Sequence, residues 1–294
     1  PATNGIKLFG SSEEDCIIGP SSGWGNSVIL FDEELGGTID NTTLISGFTI
    51  TGGNGVLESS GSISVSKGGG IYCYNASPTL TNVTISGNGS FGGFQYYSLG
   101  GGMYLSENSN PTLTNVTISG NNASFGGGIC MTGSSPTLTN VTISGNEAGG
   151  SHRDSYGGGI YMTGSSPTLT NVTIKDNSAS ASSYYAYGGG ISMSSSSPTL
   201  TNVTIKDNST KYYGGGIYMS SSSPTLTNVA ITDNVAYYNG TWDDYGDGGG
   251  IYCYNASPSM ENVTISGNTA GNNSGGIYCT TSTLVLVNCI LWND

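Results

Sequence analysis

Apolar and polar residues alternate along most of the chain in short bursts punctuated by Gly, Asn and Ser-Pro. Ile71 and Cys73 alternate with Tyr72 and Tyr74, Leu80 lies between Thr79 and Thr81, and Val83 and Ile85 flank Thr84. A period of two belongs to a strand, whose successive side chains leave opposite faces, and no stretch has the 3.6-residue spacing of a helix. The punctuating residues favour turns, so the pattern predicts short strands joined by corners.

The bursts recur. GGGIYCYNASPTLTNVTISGN at residues 68–88 returns at 248–268 with only Thr79, Leu80 and Thr81 changed, to Ser259, Met260 and Glu261. Repeats open at Gly68, Gly100, Gly126, Gly157, Gly188, Gly214, Gly248 and Ser274, spaced by 32, 26, 31, 31, 26, 34 and 26 residues. Extra length always falls between the SGN or KDN element (Asn88, Asn121, Asn146, Asn177, Asn208, Asn234, Asn268) and the next glycines. NTTLISGFTITGGN at 41–54 is a worn forerunner, and residues 1–40 read as still more divergent strands. One repeat cannot bury its own apolar residues. Stacking repeats about 4.8 Å apart, each strand parallel to its equivalent, buries Leu80, Leu113, Leu138, Leu169, Leu200 and Leu226 as one column. Parallel crossovers impose a right-handed coil.

Other columns follow. Ile71, Met103, Ile129, Ile160, Ile191, Ile217, Ile251 and Ile277 point inward, as do Cys73, Leu105, Met131, Met162, Met193, Met219, Cys253 and Cys279. Between them Tyr72, Tyr104, Cys130, Tyr161, Ser192, Tyr218, Tyr252 and Tyr278 point outward, which predicts an exposed tyrosine ladder. Asn82, Asn115, Asn140, Asn171, Asn202, Asn228, Asn262 and Asn288 fall at a corner where stacked amides can hydrogen-bond along the column. Gly87, Gly120, Asp176, Asp207 and Asp233 are types that tolerate a left-handed backbone.

The GGGIY…SPTLTNVTISGN pattern resembles the right-handed parallel β-helix repeat proteins of bacterial surfaces and secretions, within the broad pectate-lyase-like superfamily, over essentially the whole chain. The expected fold is all-β: a single-stranded parallel β-helix (β-solenoid) of about ten coils, with aromatic-rich loops inserted at one corner. It is expected as one domain, with divergent coils over 1–67 and eight regular repeats over 68–294, and as part of a longer chain. The resemblance implies either polysaccharide lyases and glycoside hydrolases or adhesins and structural spikes, so function must be argued from a site.

Composition narrows the classes. Six Lys+Arg against 19 Asp+Glu give a net charge of −13, which argues against nucleic acid and anionic membranes as partners. No apolar run approaches the roughly 20 residues of a spanning helix. Pro1 begins without a basic, hydrophobic leader, so a secretion signal is expected to have been removed or to lie outside these residues. The carboxylate and Lys/Arg constellations that the resemblance implies for lyases and hydrolases are not evident. Glu261 is alone among the strand cores, and His152, Arg153 and Asp154 in one insertion read as a solvated loop rather than an acid–base group.

Binding candidates are more numerous. The insertions bring Phe91, Phe94, Tyr96, Tyr97, Phe125, Tyr156, Tyr184, Tyr185, Tyr187, Tyr212, Tyr213, Tyr237, Tyr238, Trp242 and Tyr245 to one edge. These rings form either a glycan-stacking track or a satellite core in which loops bury one another. Asp243, Asp244 and Asp247 are candidate Ca²⁺ ligands or a plain acidic loop, and no other cofactor is implied. The pairs Thr79/Thr81, Thr112/Thr114, Thr137/Thr139, Thr168/Thr170, Thr199/Thr201 and Thr225/Thr227 form a T-x-T grid that resembles the ice-binding face of some β-solenoid antifreeze proteins, although Thr also suits an outward strand position. Cys253 and Cys279 share a column, as a disulfide or as two small interior side chains. Asn122, Asn239 and Asn272 lie in loop sequons as candidate glycan acceptors.

In the last coil Val285, Val287 and Ile290 replace outward Thr79, Thr81 and Thr84, which predicts an end-contact surface for a neighbouring molecule or further domain. The sequence thus favours a noncatalytic structural or adhesive protein, extracellular or at the cell surface, contacting a glycan or cell-surface partner through its loop edge. A polysaccharide-active enzyme is the alternative and ice binding a minor one.

Overall fold

The computed structural model describes residues 6–20, 26–35, 37–60, 63–90, 96–150, 154–182, 184–237 and 246–294. It is a right-handed parallel β-helix whose strands climb in columns. A nine-stranded sheet runs from Ile29–Asp32 and Ile71–Tyr74 to Ile277–Thr280. A 17-stranded sheet carries two columns side by side, continuous in Thr79–Ser86 and split at the corner Asn into Thr137–Thr139 and Thr142–Ser144 further along.

Register follows the inward residues. Leu113 pairs with Leu80 and Leu138, and Ile160 with Ile129 and Ile191, so like sits on like. Leu80, Leu169, Ile160 and Ile217 are fully buried in one core running the length of the solenoid. A slip of one residue would turn that column to the solvent, which is how period-two patterning fixes the coil. The divergent N-terminal residues join the same columns: Lys7–Phe9 and Ile17–Ile18 pair with Leu44–Ile50, and Ile29–Asp32 with Ile71–Tyr74.

Corners are set by residue chemistry. Asn82, Asn115, Asn140 and Asn171 sit at φ of 52–55°, and the amides of Asn115, Asn140 and Asn171 each donate to the Asn of the preceding coil, as in Asn171 Nδ2 to Asn140 Oδ1 at 3.1 Å. Gly87, Gly120, Asp176, Asp207 and Asp233 also have left-handed φ. The triple glycine is needed twice over. Gly157 has φ of 66°, and a Cβ on Gly159 would lie 2.7 Å from the Gly190 carbonyl oxygen and 3.2 Å from the Asn177 amide.

That amide belongs to a second, buried asparagine ladder. Asn177 Nδ2 donates to Ile143 O at 3.0 Å and Asn208 Oδ1 at 2.9 Å, while its Oδ1 accepts from Asn146 N and Nδ2. The pattern runs from Asn88 to Asn268, whose amide donates to Asp294 Oδ1.

Two findings depart from the sequence expectation. Residues 55–67 include an antiparallel hairpin, Val56–Ser60 with Ile63–Lys67, rather than another parallel coil. The tyrosine ladder points away from the core but is not openly exposed: Tyr72 and Tyr104 are 4% and 6% exposed, and Cys130 and Ser192 are buried. Among the described residues, Val56, Leu99, Phe125, Tyr187 and Tyr213 pack over this face.

Candidate functional site

The covering layer begins where each coil leaves the buried Asn. Short strands Asn122–Ala123, Glu147–Gly150, Ser178–Ala181, Ser209–Thr210, Val235–Ala236 and Thr269–Ala270 form a six-stranded sheet. The residue preceding each glycine run is then aligned from coil to coil, through Leu99, Phe125, Tyr156, Tyr187, Tyr213 and Asp247. Backbone pairing thus imposes ring stacking. Phe125–Tyr156, Tyr156–Tyr187 and Tyr187–Tyr213 centroids are 5.1, 4.7 and 5.5 Å apart, with interplanar angles of 14°, 10° and 25°.

This outer column leans on the inner ladder, with Phe125 5.5 Å from Tyr161, Tyr187 4.8 Å from Tyr218 and Tyr213 4.8 Å from Tyr252. The two columns make a wall of rings along one edge. A cavity of about 700 Å³ opens in it, lined by Tyr97, Phe125, Tyr156, Tyr161, Tyr184 and Tyr218 together with Asp154, Ser192, Ser194 and Ser220. That volume suits a small-molecule or sugar site.

Burial strengthens the hold of the wall's phenols on their protons. It pushes the Tyr161 phenol up to about 12 and raises Tyr218 as well. Tyr156 rises further because the Asp154 carboxylate adds to its burial. At neutral pH these phenols are neutral and can donate hydrogen bonds. Asp154 is fixed from two sides, accepting from Tyr156 Oη at 3.2 Å and Tyr185 N at 3.0 Å.

The aromatic residues nominated from sequence divide. Tyr184, Tyr185 and Tyr237 are exposed; Tyr97, Tyr187 and Tyr213 are half-buried in the stack; Tyr212 is buried against Ala148, Ala179 and Ala186. The rings thus include a small satellite core and an exposed rim. Phe91, Phe94, His152, Arg153, Tyr238, Asn239, Trp242, Asp243, Asp244 and Tyr245 lie outside the described residues, as does the side chain of Tyr96.

Asp247 is buried, and its Oδ1 accepts from Asn272 Nδ2, Asn273 N and Asn273 Nδ2 at 2.9–3.0 Å. Asn272 is exposed and Asn122 half-buried in a strand. Cys253 and Cys279 are in register as free thiols. The T-x-T pairs stack in register from Thr79 and Thr81 to Thr225 and Thr227. Val285, Val287 and Ile290 are 51%, 46% and 58% exposed, beside the open core positions Leu286 and Leu291.

Sequence reasoning missed Asp154 as a member of the wall, and it missed the stacking of the residue before each glycine run. An aromatic precedes the glycines at Phe125, Tyr156, Tyr187 and Tyr213, and that regularity was the available signal.

A family model described as "Right handed beta helix region" matches residues 4–152 and 151–291. No relative among curated proteins matches the chain.

Proposed function

Because the chain belongs to the right-handed β-helix family, a fold that serves both polysaccharide enzymes and noncatalytic proteins, we propose that it is a noncatalytic structural or adhesive protein. It acts outside the cell or at the cell surface and contacts glycans through its aromatic edge. The observation that carries this reading is the double column of rings with a hydroxyl-lined cavity set into it. Sugar C–H faces pack on aromatic rings, and a ring wall repeated at each coil presents the same contact along its length. The net charge of −13 favours neutral glycans over polyanions.

The test is an array of neutral and acidic oligosaccharides probed with the intact protein and with the rim variant Tyr184→Ala/Tyr185→Ala. Saturable binding of neutral glycans that weakens in the variant is expected. A blank array overturns the reading.

A further inference from the structure

The inner tyrosine ladder lacks a ring at Ser192. The backbone register through this position is unbroken, with Ser192 paired to Tyr161 on one side and Tyr218 on the other. Tyr161 and Tyr218 are therefore two coil rises apart, about 9.6 Å. Where the ladder is intact, Tyr218 and Tyr252 stack at 5.5 Å. A ring placed midway between Tyr161 and Tyr218 would lie about 4.8 Å from each, a normal stacking separation.

The other interruption, at Cys130, does not line the cavity: the thiol is buried in a cluster with Tyr72 and Tyr104, against which Leu99, Phe125 and Tyr161 pack. Ser192 instead lines the cavity, together with Tyr156, Tyr161 and Tyr218. Ser192 itself is 1% exposed, and its Oγ has no hydrogen-bond partner. A buried hydroxyl left unpaired is costly and rare, so one lining a cavity marks a place where a ligand atom can complete it.

We propose that the gap at Ser192 is a single-ring slot for the terminal or branching pyranose of a neutral glycan. The sugar stacks one face on Tyr161 and the other on Tyr218, and one of its hydroxyls bonds Ser192 Oγ. This rests on the glycan-contact reading above and narrows it. A polyol suits the slot because the stacking surfaces are accompanied by the hydroxyls of Ser192, Ser194 and Ser220, which a purely aromatic guest would leave unmatched. A neutral sugar suits it because Asp154 at the rim and the overall charge repel a uronate. The gap is one ring thick along the axis, so it takes a chain end or branch edge-on and not a polymer laid along the wall.

The test uses the full chain, a panel of neutral methyl hexopyranosides and the matching uronic acids, and saturation-transfer NMR followed by titration. Ser192→Tyr restores the residue that the ladder carries at Tyr161 and Tyr218, so it folds, and its circular dichroism and melting temperature verify that. Neutral pyranosides are expected to bind the wild type better than uronates, Ser192→Tyr to abolish the signal, and Tyr161→Ala and Tyr218→Ala to weaken binding roughly two- to tenfold each.

Undiminished pyranoside binding by Ser192→Tyr, with loss in Tyr184→Ala/Tyr185→Ala, overturns the slot and leaves the glycan reading standing. A phenol or indole probe that saturates the slot while pyranosides do not assigns it to an aromatic side chain of a protein partner and also overturns the proposal. Wild-type protein that binds neither the pyranosides nor the oligosaccharide array overturns both.

Discussion

Replacing Asn177 by Ala would remove one link from the buried asparagine ladder. The side chain is 1% exposed and makes four hydrogen bonds. Its loss leaves the Asn146 backbone N–H, one Asn146 Nδ2 hydrogen and the Ile143 carbonyl without those partners inside the core. At about 1–3 kcal/mol for each buried polar group left unpaired, partly relieved by relaxation, the expected cost is roughly 3–6 kcal/mol. Asn171→Gly on the exposed ladder is the control. Glycine keeps the left-handed corner at φ of 55°, and only solvent-accessible amide bonds to Asn140 and Asn202 are lost, so the cost should stay within about 1 kcal/mol.

Urea unfolding followed by far-ultraviolet circular dichroism measures both variants. Coils couple mainly to their neighbours, so amide hydrogen exchange at Asn146 should show the loss locally as well. Asn177→Ala within about 1 kcal/mol of wild type, or no more damaging than Asn171→Gly, would refute the claim that the inner ladder holds the coils in register.

Three further outcomes are expected. Burial raises Tyr104, Tyr161 and Tyr252 to about 12 from an ordinary value of about 10, so the folded state holds these protons more tightly. The resulting stabilisation is complete below about pH 10 and is lost as pH rises through about 12, and an alkaline titration showing no loss of stability across that window would contradict it. Gly159→Ala should cost about 1–3 kcal/mol by forcing a methyl against the Gly190 carbonyl, read as a lowered melting temperature. Concentration-dependent light scattering should fall when Val285 and Val287 become Thr, and a wild type that is monomeric at every concentration would count against self-association through the last coil.

The solenoid was legible because alternation fixes which face is inward once strands pair like with like. Leu169 and Ile160 could be placed in the core from period two, and Asn171 at a corner from its tolerance of a left-handed backbone. The tyrosine ladder shows where that logic stops. Outward on a strand means away from the core, not into water, and the path of the inserted segments leaves no period to read. Tyr156 and Tyr187 sit among Ser, Ala and Gly and look like loop tips until backbone pairing aligns them. Ser192 was visible as a break in its column, but only the structure shows that it lines a cavity together with Tyr156.

The central claim is that the aromatic edge holds a glycan without altering it. The most direct measurement is to titrate a neutral oligosaccharide that binds the intact protein while following both binding and the fate of the sugar in the same sample. Saturable binding with the oligosaccharide recovered at its original length after prolonged incubation is the predicted result. Shortened or unsaturated products that accumulate in proportion to protein concentration would contradict it and make the edge a catalytic surface.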